Sequence, residues 1–284
     1  MQKVAVVILN YKVADLTVKC IQSVLKSTYK SLEIIVVDNN SGDGVEEKIS
    51  NFPGLIFIQT GNNLGYAGGN NIGIKKALAQ NADFVLVLNP DTTVLSDTIE
   101  KLVTGLEENN GDLASPKVYF NSPKQIWFAG GKFDRANVLG SHIGVNEKDQ
   151  GQYDNVKESD FLTGAAFFVK AEVFKKIGFF DERYFLYYED SDFSFRARKA
   201  GFKLLYLPLA IVYHDNAKST GLGTSLQDYF ITRNRMLFAK KFLPFRTQVA
   251  LVREAWRNRK IPARKLALKD FLMGKFGKGS FIHD

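Results

Sequence analysis

The stretch Val4-Ala5-Val6-Val7-Ile8-Leu9-Asn10-Tyr11 decides how the chain is read. Six apolar, largely β-branched residues run without a break and end on two polar ones. An apolar run this short, with no polar alternation, is the mark of a strand buried on both faces, as in parallel sheets. Working outward, 15–27 has helical spacing, with Leu16, Ile21, Val24 and Leu25 on one side. A second buried strand over 32–37 ends at Asp38. Gly42-Asp43-Gly44 is a turn, 45–51 a short helix, 55–59 a third strand and 70–80 a helix. A fourth strand over 84–88 ends at Asn89-Pro90-Asp91, and 96–109 is helical with Ser96 at its N-cap.

Strand and helix therefore alternate four times in the first 110 residues. That order predicts an α/β fold, Rossmann-like, with a mostly parallel sheet, flanking helices and right-handed crossovers. Ligands in such sheets bind beyond the carboxyl ends of the strands. The polar residues fall at those ends: Asn10 and Tyr11, then Asp38, then Asn89 to Asp91. A nucleotide-type site follows from the pattern alone.

Beyond residue 110, glycines among alternating apolar residues predict hairpins over 118–145. A strand is expected over 161–169 and a helix over 171–177, closed by Gly178. A further helix opens at Glu189-Asp190 and runs to Gly201. A last strand is expected over 204–207, before Pro208. The Ser/Thr/Gly loop 219–224 is the best boundary, dividing a domain at 1–220 from a helical extension at 221–284.

Composition narrows the class. Hydrophobic residues make up 45% and charged residues 24%, enough to bury a core and unlike a disordered chain. The single cysteine, Cys20, precludes an internal disulfide or a Cys-rich zinc site, and its place in a helical apolar pattern reads as core. No apolar stretch approaches the roughly 18 residues of a membrane span, and the N-terminus lacks the features of a signal peptide. A cytoplasmic protein, soluble or peripheral to a membrane, is expected.

The net charge of +8 is uneven. Residues 224–284 hold 14 Lys+Arg against 4 Asp+Glu, while 1–223 hold 24 against 26. The tail also carries apolar residues at helical spacing, among them Tyr229, Phe230, Met236, Leu237, Phe238, Trp256 and Leu272. Bases interleaved with an apolar face suit an interfacial helix on anionic lipid. A solvated basic face on helices that pack on the core explains the same residues, and nucleic acid is not expected as a partner.

Four places can carry chemistry. The glycine-rich stretch 61–71 follows the third strand and opens a helix, so it either cradles phosphate or is an ordinary turn. It matches neither a dinucleotide fingerprint nor a P-loop. Asn89-Pro90-Asp91 sets a carboxylate where a cation bridging a diphosphate needs one, though Pro-Asp turns are common. Glu189, Asp190 and Asp192 cluster at a helix start, where the dipole favours acids and where a general base can sit. Arg196 and Arg198 follow and pair with these acids or with phosphate. His214 is a possible metal ligand, though a lone histidine is more often structural.

In order, these elements resemble the inverting glycosyltransferases of family 2, which have the GT-A fold. The resemblance covers roughly residues 3–220 and rests on Val7 to Tyr11, Val36 to Ser41, Asn62 to Asn71, Leu88 to Asp91, Tyr187 to Asp192 and Val212 to His214. Within the family it is closest in kind to the bacterial rhamnosyltransferase-type branch. The resemblance implies that Asp38 binds the pyrimidine base of a nucleotide sugar, in a pocket with Asn10, Tyr11 and Asn40. It places Gly65, Gly68, Asn70 and Asn89 at the nucleotide. Asp91 would be the surviving acid of the metal-binding Asp-x-Asp, whose first position is Asn89 here. His214 would be a further ligand of a manganese or magnesium ion, Asp190 the general base and Glu189 its orienting neighbour.

The expected donor is then a dTDP or UDP sugar, with dTDP-rhamnose the first guess. The expected acceptor is a glycan or lipid-linked glycan of a cell-surface polysaccharide, at the cytoplasmic membrane face. The Gln-x-x-Arg-Trp of processive members is missing, which implies transfer of one or a few sugars. Phe180, Tyr184, Phe185 and Tyr187 either stack on an acceptor sugar or pack the core. Two rival readings are a non-catalytic nucleotide-sugar binding module and a sugar-phosphate nucleotidyltransferase. The latter would need a basic Gly-rich segment directly after the first strand.

Overall fold

The opening apolar run forms the central strand of the molecule. The computed structural model describes residues 1–120, 125–215 and 224–282. Its first half consists of β1 (Val4–Asn10), α1 (Ala14–Leu25), β2 (Leu32–Asp38), α2 (Val45–Ile49), β3 (Leu55–Gln59), α3 (Gly65–Ala79), β4 (Phe84–Leu88), β5 (Thr92–Val94) and α4 (Thr98–Glu108). There follow β6 (Leu113–Phe120), β7 (Ile126–Phe128), β8 (Gly131–Asp134), β9 (Leu139–His142), β10 (Lys157–Glu158), β11 (Ala166–Lys170), α5 (Ala171–Ile177), α6 (Glu189–Lys199) and β12 (Leu204–His214). Three helices end the chain: α7 (Ser225–Phe242), α8 (Phe245–Arg257) and α9 (Pro262–Leu272).

β1 lies between β2 and β4 and runs parallel to both, and β3 extends the sheet beyond β2. The strand order β3-β2-β1-β4 changes direction beside β1, so a crevice opens at the carboxyl ends of β1 and β4. β11 runs antiparallel between β4 and β6, and β12 runs parallel to β6. The sheet is thus mixed, parallel on the side of β1 and interrupted by one reversed strand.

Side chains of β1 alternate between two cores. Val4, Val6 and Ile8 face one, and Ala5, Val7 and Leu9 the other. Both faces are covered, which is why the strand contains no polar residue before Asn10. Burying each valine or isoleucine contributes about 1.5–3 kcal/mol. α3 presses on the second face through glycines. A Cβ on Gly73 would lie 2.3 Å from Val7 Cγ1, and one on Gly69 2.4 Å from Leu9 Cδ1.

Several boundaries differ from the sequence reading. α3 starts at Gly65, five residues before the expected Asn70, because its first turn is glycine-rich yet helical. The helix expected to be capped by Ser96 begins at Thr98 after Asp97. There the Thr98 hydroxyl accepts from Leu95 N (2.9 Å) and donates to Ile211 O (2.7 Å). The strand expected to stop before Pro208 continues to His214. Its register against β6 shifts between Leu207 and Ile211, which accommodates the donor that Pro208 lacks. The strand expected from Phe161 begins at Ala166, since Gly164 and Ala165 form a turn.

Of the expected boundary loop, residues 219–223 lie outside the described residues. Thr224 caps α7, its hydroxyl accepting from Gln227 N at 3.3 Å. The apolar residues Tyr229, Phe230, Met236, Leu237 and Phe238 of α7 are buried, so that part of the tail's apolar pattern is protein core and is unavailable to lipid. Cys20 is fully buried, and burial pushes its thiol up to about 12. No helix among the described residues is long and apolar enough to cross a membrane.

Candidate active site

The β1–β2 register sets Asn10 beside Asp38 at the strand ends. Asn10 Nδ2 donates to Asp38 Oδ1 (2.8 Å), and Gln59 Nε2 donates to Asp38 Oδ2 (2.8 Å). Ser41 donates through its hydroxyl and its amide. Burial alone would raise the Asp38 carboxyl, but the hydrogen bonds from Ser41, Asn10 and Gln59 outweigh it and hold the group below its ordinary value. Asn10 and Asp38 are both buried, at the carboxyl ends of β1 and β2. Asn40 is exposed with left-handed backbone (φ 60°), whereas its neighbour Asn39 is buried and faces the crevice. Asn39 Nδ2 donates to Asn63 Oδ1 (2.9 Å) and Asn39 Oδ1 accepts from Leu64 N (2.9 Å). Nothing in the run Asp38-Asn39-Asn40 tells these two asparagines apart in sequence.

The start of α3 is not open to phosphate in the way its glycines suggest. Leu64 N donates to Asn39, and Gly65 N to Asn63 Oδ1 (2.9 Å). Tyr66 N (2.7 Å) and Ala67 N (3.3 Å) both donate to Phe185 O. The amides a helix start would offer an anion are therefore committed within the chain. Gly65 has φ +71°, and a Cβ there would sit 2.5 Å from Phe185, so its glycine serves the loop before α6. Gly68 and Asn70 lie deeper in α3, buried, and Asn70 Nδ2 donates to Tyr66 O (3.0 Å).

Next to the end of β1, where Leu9 and Tyr11 line it, lies a cavity of about 410 Å³. Its walls include Leu9, Tyr11, Asn39, Gly65, Tyr66, Asn89, Phe185 and Leu186, with Leu226 and Ile282 from the C-terminal part of the chain. The mixture of apolar and aromatic walls with a few polar groups is that of a small-molecule site. Of the aromatic residues before α6, Phe180 and Tyr184 are core, and Phe185 lines the cavity.

The acidic cluster at the start of α6 divides by its partners. Asp192 is neutralised: Arg196 Nε lies at 2.7 Å, Lys241 pairs with it closely, and the Tyr184 hydroxyl donates at 3.1 Å. Arg198 pairs instead with Asp160, at 2.7 Å. Among the described residues Asp190 accepts only neutral donors in hydrogen bonds, Ser191 N (2.6 Å), Ser191 Oγ (3.2 Å) and Gly164 N (3.2 Å). Glu189 Oε2 is buried with no partner among the described residues. Burial raises Glu189 well above the carboxylate range, and the adjacent Asp190 charge adds to it. Burial likewise raises Asp190. Two acids with raised affinity for a proton, joined through Gly164 to Tyr66 in the cavity wall, are candidates for proton transfer.

Opposite them, β12 and β5 pair so that His214 stands against Thr92, next to Asp91. His214 Nε2 lies 3.1 Å from Asp91 Oδ1, and both residues are buried. The His214 ring packs edge-on against Trp127, centroids 4.5 Å apart. Trp127 in turn meets His142, whose pKa burial lowers to about 4. His214 Nδ1 and Asn89 Oδ1 are buried without partners among the described residues. A carboxylate, an imidazole and an orphaned amide oxygen fit a divalent cation that keeps further positions for phosphate oxygens and water. No group of three or more His, Cys, Asp or Glu side chains converges among the described residues.

Tyr66 joins the two halves, and the sequence reading missed it. Its hydroxyl donates to Gly164 O (2.6 Å), while Gly164 N donates to Asp190. Burial raises the Tyr66 hydroxyl well above its ordinary value, and Glu189, Asp190 and Asp91 push the same way. A Cβ on Gly164 would come within 3.0 Å of that hydroxyl. The lone glycine inside an apolar run was the available sign of a close approach.

The α/β sheet, with polar and acidic residues at the ends of its parallel strands, is the architecture of a ligand-binding α/β enzyme. The chain belongs to glycosyl transferase family 2, whose model matches residues 5–178. It is similar to the low-salt glycan biosynthesis hexosyltransferase Agl10 of Haloferax volcanii, with 29% identity over 235 residues, covering 82% of this chain and 74% of that one. It is also similar to the N-acetylglucosaminyl-diphospho-decaprenol L-rhamnosyltransferase of Mycobacterium tuberculosis, with 28% identity over 239 residues, covering 76% and 77%. These relatives agree with the rhamnosyltransferase-type branch. Among solved structures, GalNAc-T7 with UDP, GalNAc and Mn2+ superposes with a TM-score of 0.64 at 20% identity. That match covers 78% of this chain and 44% of that protein, and it shows the GT-A fold. The α6 acids and His214 lie beyond the residues that the family model matches.

Proposed function

We propose that this protein is a metal-dependent inverting glycosyltransferase that uses Asp190 as general base. The observation that carries the reading is the division of the acidic cluster: Asp192 is neutralised by Arg196 and Lys241, whereas Asp190 and Glu189 have no hydrogen-bonded cation among the described residues. In this reading Asp190 takes the proton from an acceptor hydroxyl. That oxygen bonds to the anomeric carbon as the bond to the leaving diphosphate oxygen breaks, and one displacement inverts the centre. Glu189, buried beside Asp190, orients it. Asp91 and His214, with Asn89, would hold a manganese or magnesium ion. Such a cation, when bound, offsets charge developing on the diphosphate. Asp38 and Asn10 fix the base end of the donor pocket, which Tyr11, Asn39 and Gly65 line. Gly68 and Asn70 act through the packing of α3.

The proposed donor is dTDP-rhamnose, and the proposed acceptor a lipid-linked glycan at the cytoplasmic membrane face. The relatives' names favour this pairing. Residues 1–220 act as the catalytic domain and 221–284 as a helical extension that touches an anionic membrane. The exposed Phe245, Trp256, Leu272 and Met273 among the tail's bases support that contact. Flotation with anionic vesicles at low salt tests it: the protein co-floats if the tail binds lipid, and stays below if it does not. The activity itself is tested by following nucleoside diphosphate release from a panel of nucleotide sugars with manganese or magnesium. Metal-dependent release from dTDP-rhamnose is expected. Release from no donor, with and without a prenyl-diphosphate-linked acceptor, contradicts the reading.

A further inference from the structure

The six residues before Asp190 hold an unusual backbone. Phe185, Tyr187 and Tyr188 all have left-handed φ, at 64°, 67° and 76°. Such a conformation is strained for a bulky residue and persists only where the surroundings fix it. Two elements do so here. From α3, the Tyr66 and Ala67 amides donate to Phe185 O. From α7, Asn234 Nδ2 donates to Tyr184 O (2.9 Å), Leu186 O (2.8 Å) and Tyr187 O (2.8 Å).

Arg233 completes the grip. It is fully buried, and its guanidinium donates to Tyr184 O (3.0 Å), Arg183 O (3.3 Å) and Gly277 O (2.8 Å). Its Nε donates to Asn234 Oδ1 (3.1 Å), which fixes the amide so that its donors face the loop. Phe230, one turn earlier, stacks on Phe185 with centroids 5.4 Å apart. A buried guanidinium is costly unless its donors are satisfied, and here two of its hydrogen bonds go to main-chain carbonyls of that loop and the others to Gly277 O, the Tyr229 hydroxyl and Asn234. Ordinary helix packing needs apolar side chains and does not need this arrangement.

We infer that Arg233 and Asn234 are positioning residues, which hold the strained 183–188 loop, whose Phe185 and Leu186 line the cavity, and thereby fix Asp190 in a water-poor setting at the start of α6. The inference rests on the reading of Asp190 as general base. The extension thereby becomes part of the catalytic apparatus in addition to any part it plays at a membrane. The titratable groups facing the Glu189–Asp190 pair among the described residues are Asp192 on the same helix, already neutralised by Arg196 and Lys241, the Tyr188 hydroxyl from the loop before it and the Tyr66 hydroxyl from α3.

The test uses the full chain with Asn234→Ala and Arg233→Lys, which keeps the charge but loses the fork. Turnover, donor KM, nucleotide affinity by calorimetry and the pH dependence of kcat are measured well below each variant's Tm. The expected result is a kcat lowered about 100-fold, the cost of a small misplacement of reacting groups, with nucleotide affinity unchanged. The acid limb of the kcat profile should also move to lower pH, because a loosened loop lets water reach Glu189 and Asp190. A merely structural pair would leave that limb in place. Wild-type kcat, or a loss with the limb unmoved, overturns the inference, and so does failure of both variants to fold. If only Asn234→Ala fails to fold, Arg233→Lys decides by the same two readouts. Asp190→Asn separates the levels. Loss of kcat there with no effect at 233 and 234 sinks only the inference, whereas wild-type kcat there sinks the base assignment beneath it.

Discussion

His214 Nε2 lies 3.1 Å from Asp91 Oδ1, although 123 residues separate the two in the chain. Strand β12 brings them together by running past Pro208 to the end of β6. An imidazole and a carboxylate are a donor pair that would suit a divalent cation, as the proposed function has it. His214→Ala should therefore weaken manganese binding, read by electron paramagnetic resonance of free Mn2+, by at least the ~10-fold that loss of even an outer-shell partner costs. Unchanged binding would remove His214 from the metal site.

Glu189 gives a stability test whose sign is fixed by its raised pKa. The folded state holds the proton above 4.5, the ordinary value at which the unfolded chain loses it. The folded state then binds more protons, so the Glu189 contribution is favourable at low pH and is lost as pH rises toward the folded value. Glu189→Gln should raise Tm relative to wild type at pH 8, and the gain should vanish near pH 4. A gain that is equal at both pH values would mean that Glu189 is not held protonated by its surroundings.

Gly73 tests the packing that sets the crevice. A methyl there would meet Val7 Cγ1 at 2.3 Å, inside a core with both strand faces covered. Gly73→Ala should cost about 1–3 kcal/mol, the usual range for overpacking. Denaturant midpoints measure it, and a neutral change would show that α3 can lift from β1 without loss.

Where local pattern determined the structure, the sequence was legible. The uninterrupted apolar runs gave β1, β2 and β4, and the polar residues at their ends marked the crevice. Legibility failed where a residue's role depends on a distant partner. Gly65 reads as a phosphate turn, yet its missing Cβ makes room for Phe185, 120 positions away. Asp192 and Asp190 read alike until Arg196 and Lys241 are seen to neutralise only the former. Arg233 and Asn234 sit in a basic helix, where nothing in the local sequence marks them for burial. Their burial follows from the carbonyls of a loop that no periodicity could place beside them.

The most direct measurement is single-turnover sugar transfer by wild type and Asp190→Asn, with dTDP-rhamnose, manganese and a prenyl-diphosphate-linked acceptor, alongside calorimetric dTDP binding. Loss of the base should lower the transfer rate about 10²–10⁴-fold while dTDP affinity stays as in wild type. Transfer at the wild-type rate by Asp190→Asn would contradict the account.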